Sequence, residues 1–431
     1  MRTIPSDKNQ AEVIVELVKM LNWTYVSIVY EESSYGEKAY AEIYDRIRME
    51  GLCLAVTDKL IKDSGVATDE AYDKIVQRLR ADSSARGVIV FGSDQEVGEL
   101  MKAVKRNNMT GYFAWIGSDG WGGRILVSDG NEAQVEGAIT VQPYAEPLKG
   151  FDEYFLKLRP HSNLDNPWFR EYWEYYFKCK FNQSYSTPFN RNYSKICTGD
   201  EVPSKENGYV AEAQLQFVSD SVMAFAVALR NMQADYCKEK GLCKEMDPYD
   251  GELLKSYLLK VNFTGLSGLS FNFLPNGDGP PRYRILHYKQ TSPGSFGWHT
   301  VGVHEGNGLK INRSNLQFRL NQTDYPPSRC SPPCEFNEIK QEVGSVICCW
   351  TCTKCPKWHI RPTEYECLLC PEGTIPSGDL KVCQELPLEY LKFFSPGALS
   401  AACLASIGII TTLFVMAVFC RRWDTAVVKG H

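Results

Sequence analysis

From Phe393 to Cys420 the chain carries no charged residue. The core of that run, Gly397 to Cys420, would make a helix roughly 36 Å long, enough to span a bilayer with some tilt. Arg421 and Arg422 follow at once. The excess of cationic residues on cytoplasmic flanks places them inside and residues 1–390 outside. A buried core helix is the alternative, but such helices rarely run so long without a charge. A transmembrane helix over 393–420 is therefore expected, with 421–431 entering the cytoplasm.

Two further features fit an outside location. Nine of the sixteen cysteines lie between Cys330 and Cys383, a density that suits an oxidising compartment. Seven N-x-S/T sequons, at Asn22, Asn108, Asn182, Asn192, Asn262, Asn312 and Asn321, are candidate glycosylation sites. The sequence after Met1, RTIPSDKNQAEV, has no apolar signal region, and the chain stops nine residues after Arg422. We expect an internal stretch of a longer membrane protein. The charge balance, 47 Lys+Arg against 52 Asp+Glu with no basic block, argues against nucleic acid as a partner. The 44% apolar and 23% charged content excludes disorder over most of the chain.

Residues 9–145 alternate between two periodicities. Helical spacing over 10–22, 38–51, 69–82 and 96–108 is separated by short apolar or β-branched runs at 23–30, 52–60, 86–92 and 112–119. Such alternation predicts βαβ units and a parallel sheet, whose ligands bind beyond the carboxyl ends of the strands. Ser33–Gly36, Gly92–Asp94 and Gly117–Gly120 fall at that rim. Helices are predicted over 151–158, 166–181, 213–232 and 249–261, a polar loop over 182–208, and a Pro/Gly-rich turn leading into a strand within 271–290. Residues 325–385 are Pro- and Cys-rich with little apolar periodicity, so crosslinks should replace a core there.

Cys349, Cys352 and Cys355, with Cys367 and Cys370, have zinc-ribbon spacing. The outside location favours disulfides instead. Cys53 stands alone, and the cluster is odd in number, so a bridge between domains would settle both counts. No HExxH, GxSxG or Walker A motif is present, and the six histidines are scattered. Asp94 and Asp119 read better as rim carboxylates for a cation than as an acid–base pair. No enzymatic activity, cofactor or metal is expected.

Several stretches are more specific. Pro5-Ser6-Asp7, Asn22-Trp23-Thr24-Tyr25-Val26-Ser27, Tyr35-Gly36-Glu37 and Ile116-Gly117-Ser118-Asp119-Gly120-Trp121 occur in order. Phe151-Asp152, Tyr154-Phe155, Asn166-Pro167-Trp168-Phe169 and the turn Phe273-Leu274-Pro275-Asn276-Gly277-Asp278 follow. Together with the nine-cysteine spacing and Asp424-Thr425, they resemble the metabotropic glutamate receptors, class C G-protein-coupled receptors, over essentially the whole chain. The resemblance implies an α/β fold: part of a periplasmic-binding-protein-like Venus flytrap (1–325), a cysteine-rich domain (326–386), then the first transmembrane helix. Lobe 2 would comprise about 1–145 and 271–325, and the remainder of lobe 1 about 146–270. With half of lobe 1 missing, residues 1–325 expressed alone are not expected to melt cooperatively.

The resemblance also implies disulfides Cys53–Cys348, Cys179–Cys197, Cys237–Cys243, Cys330–Cys349, Cys334–Cys352, Cys355–Cys367 and Cys370–Cys383. By position, Asp7, Tyr35 and Asp119 match the residues that hold the ligand's α-ammonium group. Two carboxylates and an aromatic face suit a cation. Each also has a plain structural reading: Asp7 as a helix N-cap, Tyr35 as a packing residue, Asp119 as a turn former. At the other end of the pocket, Gln214 stands where glutamate-binding members place a lysine, and Arg124 matches a second basic position. The implied function is a receptor for glutamate or a related L-amino acid, at the plasma membrane. It would signal through flytrap closure, the cysteine-rich stalk and a dimer to a heterotrimeric G protein. A non-signalling, partner-binding single-pass chain is the alternative.

Overall fold

The computed structural model describes residues 1–426 except 64, 188–189, 213, 238–240, 242, 247–249, 307, 321, 344–346, 388–389 and 391. The first residues form helix α1 (Asp7–Met20), with Ser6 at its N-cap, Asp7 in its first turn and Lys19 in its last, both favourable to the helix dipole. Val13, Ile14, Leu17 and Val18 recur at helical spacing and are fully buried. Strand β1 (Tyr25–Glu31) follows and is buried along its whole length. Next come α2 (Ser34–Met49), β2 (Cys53–Leu60), α3 (Asp69–Ala81), β3 (Gly87–Phe91), α4 (Asp94–Arg106) and β4 (Ala114–Gly117). The single turns α5 (Ile125–Ser128) and α6 (Glu132–Val135) precede β5 (Ile139–Pro143).

Strands β2, β1, β3, β4 and β5 lie side by side in that order, all parallel. The chain therefore winds outward in both directions from β1 and β3, and the crevice at such a reversal is where open α/β sheets bind ligands. Helices α1 and α2 bury Ile14, Leu17, Ile43 and Ile47 on one face. Helices α3 and α4 bury Ile75, Leu79, Leu100 and Met101 on the other.

The chain then leaves the sheet through α7 (Phe151–Phe155), α8 (Phe169–Phe177), the two-residue strands β6 (Cys179–Lys180) and β7 (Lys195–Ile196), α9 (Leu215–Tyr236), α10 (Gly251–Leu258) and the hairpin β8 (Asn262–Thr264) with β9 (Ser270–Asn272). One face of α9 packs Ala224, Val227 and Ala228 against Leu254 and Leu258 of α10. The opposite face exposes Val218, Val222, Phe225 and Leu229. Strands β10 (Tyr283–Ser292), β11 (Ser295–Glu305) and β12 (Gly308–Ile311) return to the sheet and extend it antiparallel beyond β5, giving eight strands.

The amino ends of the central strands are sealed by a later segment. Ser328 Oγ donates to the Tyr25 carbonyl (2.5 Å) and accepts from the Gly87 amide (2.8 Å). The Ser328 carbonyl takes the Thr24 and Tyr25 amides, and Trp23 Nε1 donates to the Pro326 carbonyl. Ser328 is fully buried, and its hydroxyl bridges the start of β1 to the start of β3.

The chain divides into two compact units: residues 1–332 with 343–349, and residues 333–342 with 350–431. The division is not the sequence boundary at 325/326, because Cys348 bonds to Cys53 and Cys349 to Cys330, which returns 343–349 to the first unit. In the second unit β13 (Glu338–Glu342) pairs with β14 (Trp350–Lys354), and β15 (His359–Ile360) with β16 (Leu368–Leu369). A third pair joins β17 (Thr374–Pro376) to β18 (Cys383–Glu385). Helix α11 (Pro396–Arg421) is long and apolar enough to cross a membrane, with a mean hydropathy of 2.4 and no part of its apolar window buried. Ser395 caps it through the Ala398 amide, and Pro396 occupies the first turn, where its missing N–H costs nothing.

Candidate functional site

Three loops meet beyond the carboxyl ends of β1, β3 and β4. Their spacing is set by two glycines. A Cβ on Gly36 would overlap the Glu31 carbonyl, and one on Gly120 would overlap the Gly92 carbonyl. Glu31, the last residue of β1, ties the loops together. Its carboxylate accepts from Ser93 through both N–H (2.8 Å) and Oγ (2.5 Å), and its carbonyl takes the Ser33 amide. Lys62 Nζ lies 3.3 Å from Glu31 and 3.5 Å from the fully buried Glu96. Burial opposes the charge on Glu31, but the hydrogen bonds from Ser93 and Ser33 and the charge of Lys62 outweigh it, so its pKa lies below the ordinary value.

Within this frame Tyr35 Oη donates to Asp119 Oδ1 at 2.7 Å, and its ring packs on Phe91 with centroids 4.6 Å apart. Burial and the Asp119 charge push the Tyr35 phenol well above its ordinary pKa, so it remains a donor. Asp7 is not the N-cap of α1 but its first helical residue, because Ser6 occupies the cap. Its carboxyl is raised by burial and then by the charge of Asp119. Tyr283, in β10, donates to the Ser6 carbonyl at 2.9 Å, and burial with the charges of Asp119 and Asp7 raises its phenol too. Arg2 eases the charge on Asp7 but is itself paired with Asp278 at 2.8 Å. Asp94 heads α4. The rim thus presents two carboxylates that repel one another, framed by phenol donors, a field that favours a small cation.

The loop carrying Asp119 continues around Trp121, which is buried and donates Nε1 to the Val90 carbonyl at 3.0 Å. It delivers Arg124 five residues later. Arg124 Nη1 meets Glu212 Oε2 at 2.8 Å, while Arg124 Nε is buried with no partner among the described residues. Gln214, two residues beyond Glu212, takes the N-cap position of α9 with no capping bond from its side chain. Glu212, Tyr283 and Glu31 were not identified from sequence. Glu212 stands beside Gln214, so its charge was visible there; Tyr283 joins the site only through the sheet, and Glu31, next to the Ser33–Gly36 run, reaches Ser93 across it.

Among the described residues seven disulfides close, in the pairs Cys53–Cys348, Cys179–Cys197, Cys237–Cys243, Cys330–Cys349, Cys334–Cys352, Cys355–Cys367 and Cys370–Cys383. The zinc-ribbon cysteines all lie in these bonds, and Cys403 and Cys420 of α11 carry free thiols. Sequon residues Asn22, Asn108, Asn182, Asn192, Asn262 and Asn312 are exposed, and Asn321 lies outside the described residues.

A parallel sheet wound outward from a switch point, with a polar rim beyond its carboxyl ends, and a disulfide-rich unit that includes an apolar helix suit a receptor's ligand-binding region. The profile described as "Receptor family ligand binding region" matches residues 1–291, and the chain belongs to that family. Over its whole length it is similar to metabotropic glutamate receptor 4 of Rattus norvegicus, 36% identical over 431 residues, covering 100% of this chain and 46% of that protein. It is also 36% identical over 432 residues to metabotropic glutamate receptor 8 of Homo sapiens, covering 47% of it. The chain spans about half the length of these relatives.

Proposed function

We propose that this chain is the part of a class C receptor that binds the backbone end of an L-α-amino acid, outside the plasma membrane. The observation that supports this reading is the facing of Asp7 and Asp119, with Tyr35 donating to Asp119 at 2.7 Å. An α-ammonium group placed there relieves the repulsion between the carboxylates and makes charge-assisted hydrogen bonds with them. Ligand closure would then bias a two-state flytrap, and the stalk and helix α11 would pass that bias to a membrane domain, a dimer and a G protein. No catalytic role is proposed.

The side-chain end carries Gln214 in place of a lysine, so glutamate need not be the ligand. A charged hydrogen bond contributes about 1.5–3 kcal/mol, so the exchange lowers glutamate affinity roughly ten- to hundredfold. The test is direct binding of radiolabelled amino acids to membranes carrying the full chain. Asp119→Ala should abolish binding, and Gln214→Lys should raise glutamate affinity. Tight glutamate binding that Gln214→Lys leaves unchanged would overturn the side-chain assignment.

A further inference from the structure

The first residues of the chain run against the turn at 274–279. The Arg2 amide donates to the Gly277 carbonyl at 3.0 Å, and a Cβ on Gly279 would overlap the Thr3 carbonyl. The two stretches therefore pack backbone to backbone, and across that contact Arg2 Nε meets Asp278 Oδ1 at 2.8 Å. The turn fixes Asp278 from its own side. Asn276 Nδ2 donates to Asp278 Oδ2 at 2.9 Å, and the Asp278 amide donates back to Asn276 Oδ1 at 3.1 Å. The Leu274 amide takes the Asp278 carbonyl. Both oxygens of the Asp278 carboxylate are thus engaged, one by the turn and one by Arg2.

This pair acts on the rim described above. Tyr283, in β10 just past the turn, donates to the carbonyl of Ser6, the residue before Asp7, at 2.9 Å. Its buried phenol feels the charges of Asp119, Asp7, Arg2 and Asp278 together. Asp7 itself feels two cations, Arg2 more strongly and the exposed Lys38 of α2 less. A resident cation there is a competitor of the ligand, because charge that the protein supplies to Asp7 is charge that an incoming ammonium no longer relieves. Arginine cannot shed its charge, so only a partner of opposite sign can offset it.

We infer that Asp278 is a positioning residue that holds the Arg2 guanidinium off Asp7 and so keeps the rim carboxylates open to a ligand's α-ammonium group. This rests on the backbone-end reading above and goes beyond it by naming what keeps that end free. Opposite charges in contact nearly cancel at a distance, so the paired Arg2 is muted at Asp7, whereas a released Arg2 is an uncompensated cation drawn toward it. With 45% of the Arg2 side chain exposed, the pair adds little to stability. Its consequence lies in where it holds the charge.

The experiment is saturation binding of tritiated glycine, L-leucine and L-glutamate to membranes carrying the full chain. The three share the backbone end and differ in side chain. Asp278→Asn, which keeps the shape of the turn and removes the charge, should weaken all three about tenfold, the scale of one charged hydrogen bond. Arg2→Gln alone should leave each within about twofold. The double variant, Asp278→Asn with Arg2→Gln, should return all three to within about twofold of the unmodified chain, because no cation is left to release. A double variant as weak as Asp278→Asn shows that Asp278 only shapes the turn, and sinks this inference while the backbone site stands. Unchanged binding in Asp278→Asn, a loss in Arg2→Gln alone, or a loss confined to one of the three amino acids does the same. Failure of all three to bind the unmodified chain sinks the backbone-end reading and this inference with it.

Discussion

Tyr35 contributes one hydrogen bond that matters more than its ring. Tyr35→Phe keeps the contact with Phe91 but leaves Asp119 without its donor, and amino-acid affinity should fall about tenfold. Equilibrium binding tests this, and an unchanged dissociation constant would return Tyr35 to a packing role. Asp7 supplies a pH signature. Burial and Asp119 raise its pKa, and a bound ammonium lowers it again, so ligand uptake releases a proton in the acid range. Affinity should therefore weaken as pH falls through the raised Asp7 value, and Asp7→Asn should flatten that slope. His287 titrates in the opposite sense. It is fully buried, its Nδ1 3.1 Å from the Ala138 carbonyl and its Nε2 accepting the Gln317 amide, and burial pushes its pKa from 6.5 down to about 4. Below pH 6.5 the unfolded chain takes up a proton that the fold refuses. Stability is thus present at neutral pH and lost as pH falls toward 4, by up to about 3 kcal/mol. Chemical denaturation of the full chain at pH 7 and 4.5 should show a smaller drop in His287→Gln. At this scale Asp7, Tyr35 and Asp119 were legible because each sits in a distinctive local run of sequence. Tyr283 was not, because only strand pairing brings it near, and Glu31, although next to the Ser33–Gly36 run, gave no sign that its carboxylate would reach Ser93.

Elements were legible where one periodicity dominated. The helices that cover both faces of the sheet and strands β1 to β4 lie within a few residues of their predicted places, since buried strands and amphipathic helices write strong patterns. Strands β11 and β12 were missed. The burial of β11 is mostly partial and its run, SFGWHTVGVHE, mixes glycine and histidine with apolar residues, so no clean alternation marks it. The short β5 was missed as well, although its position beside β10 completes the sheet. Ser328 was invisible for a different reason: a serine in a Pro-rich stretch carries no sign that its hydroxyl will mate two strand ends. Ser328→Ala leaves the Gly87 amide and the Tyr25 carbonyl short of a partner and should cost about 1–3 kcal/mol. Hydrogen exchange at Gly87 reads this directly. Equal protection in the variant would show that the seal is held by the backbone contacts alone.

The two units hold together by different physics. The first buries a continuous apolar core on both faces of its sheet. In the second, Cys370 alone is a buried apolar residue among those described, and three disulfides do the work of a core. Graded reduction should therefore expose residues 333–342 and 350–385 to protease while the sheet of the first unit stays protected. Simultaneous loss of both would show that the sheet also depends on its crosslinks. The exposed stripe on α9 should tolerate change in this chain: Val222→Gln should shift stability by less than about 0.5 kcal/mol, whereas Ala228→Gln, in the packed face, should not be tolerated. The seal at Ser328 has one more consequence. The segment that leads out of the first unit grips β1 and β3, two strands that are paired on both sides, and not the edge at β12. A pull applied at Cys330 would be shared between two neighbouring strands that are each paired on both sides, where a pull on an edge strand would act on one ladder alone.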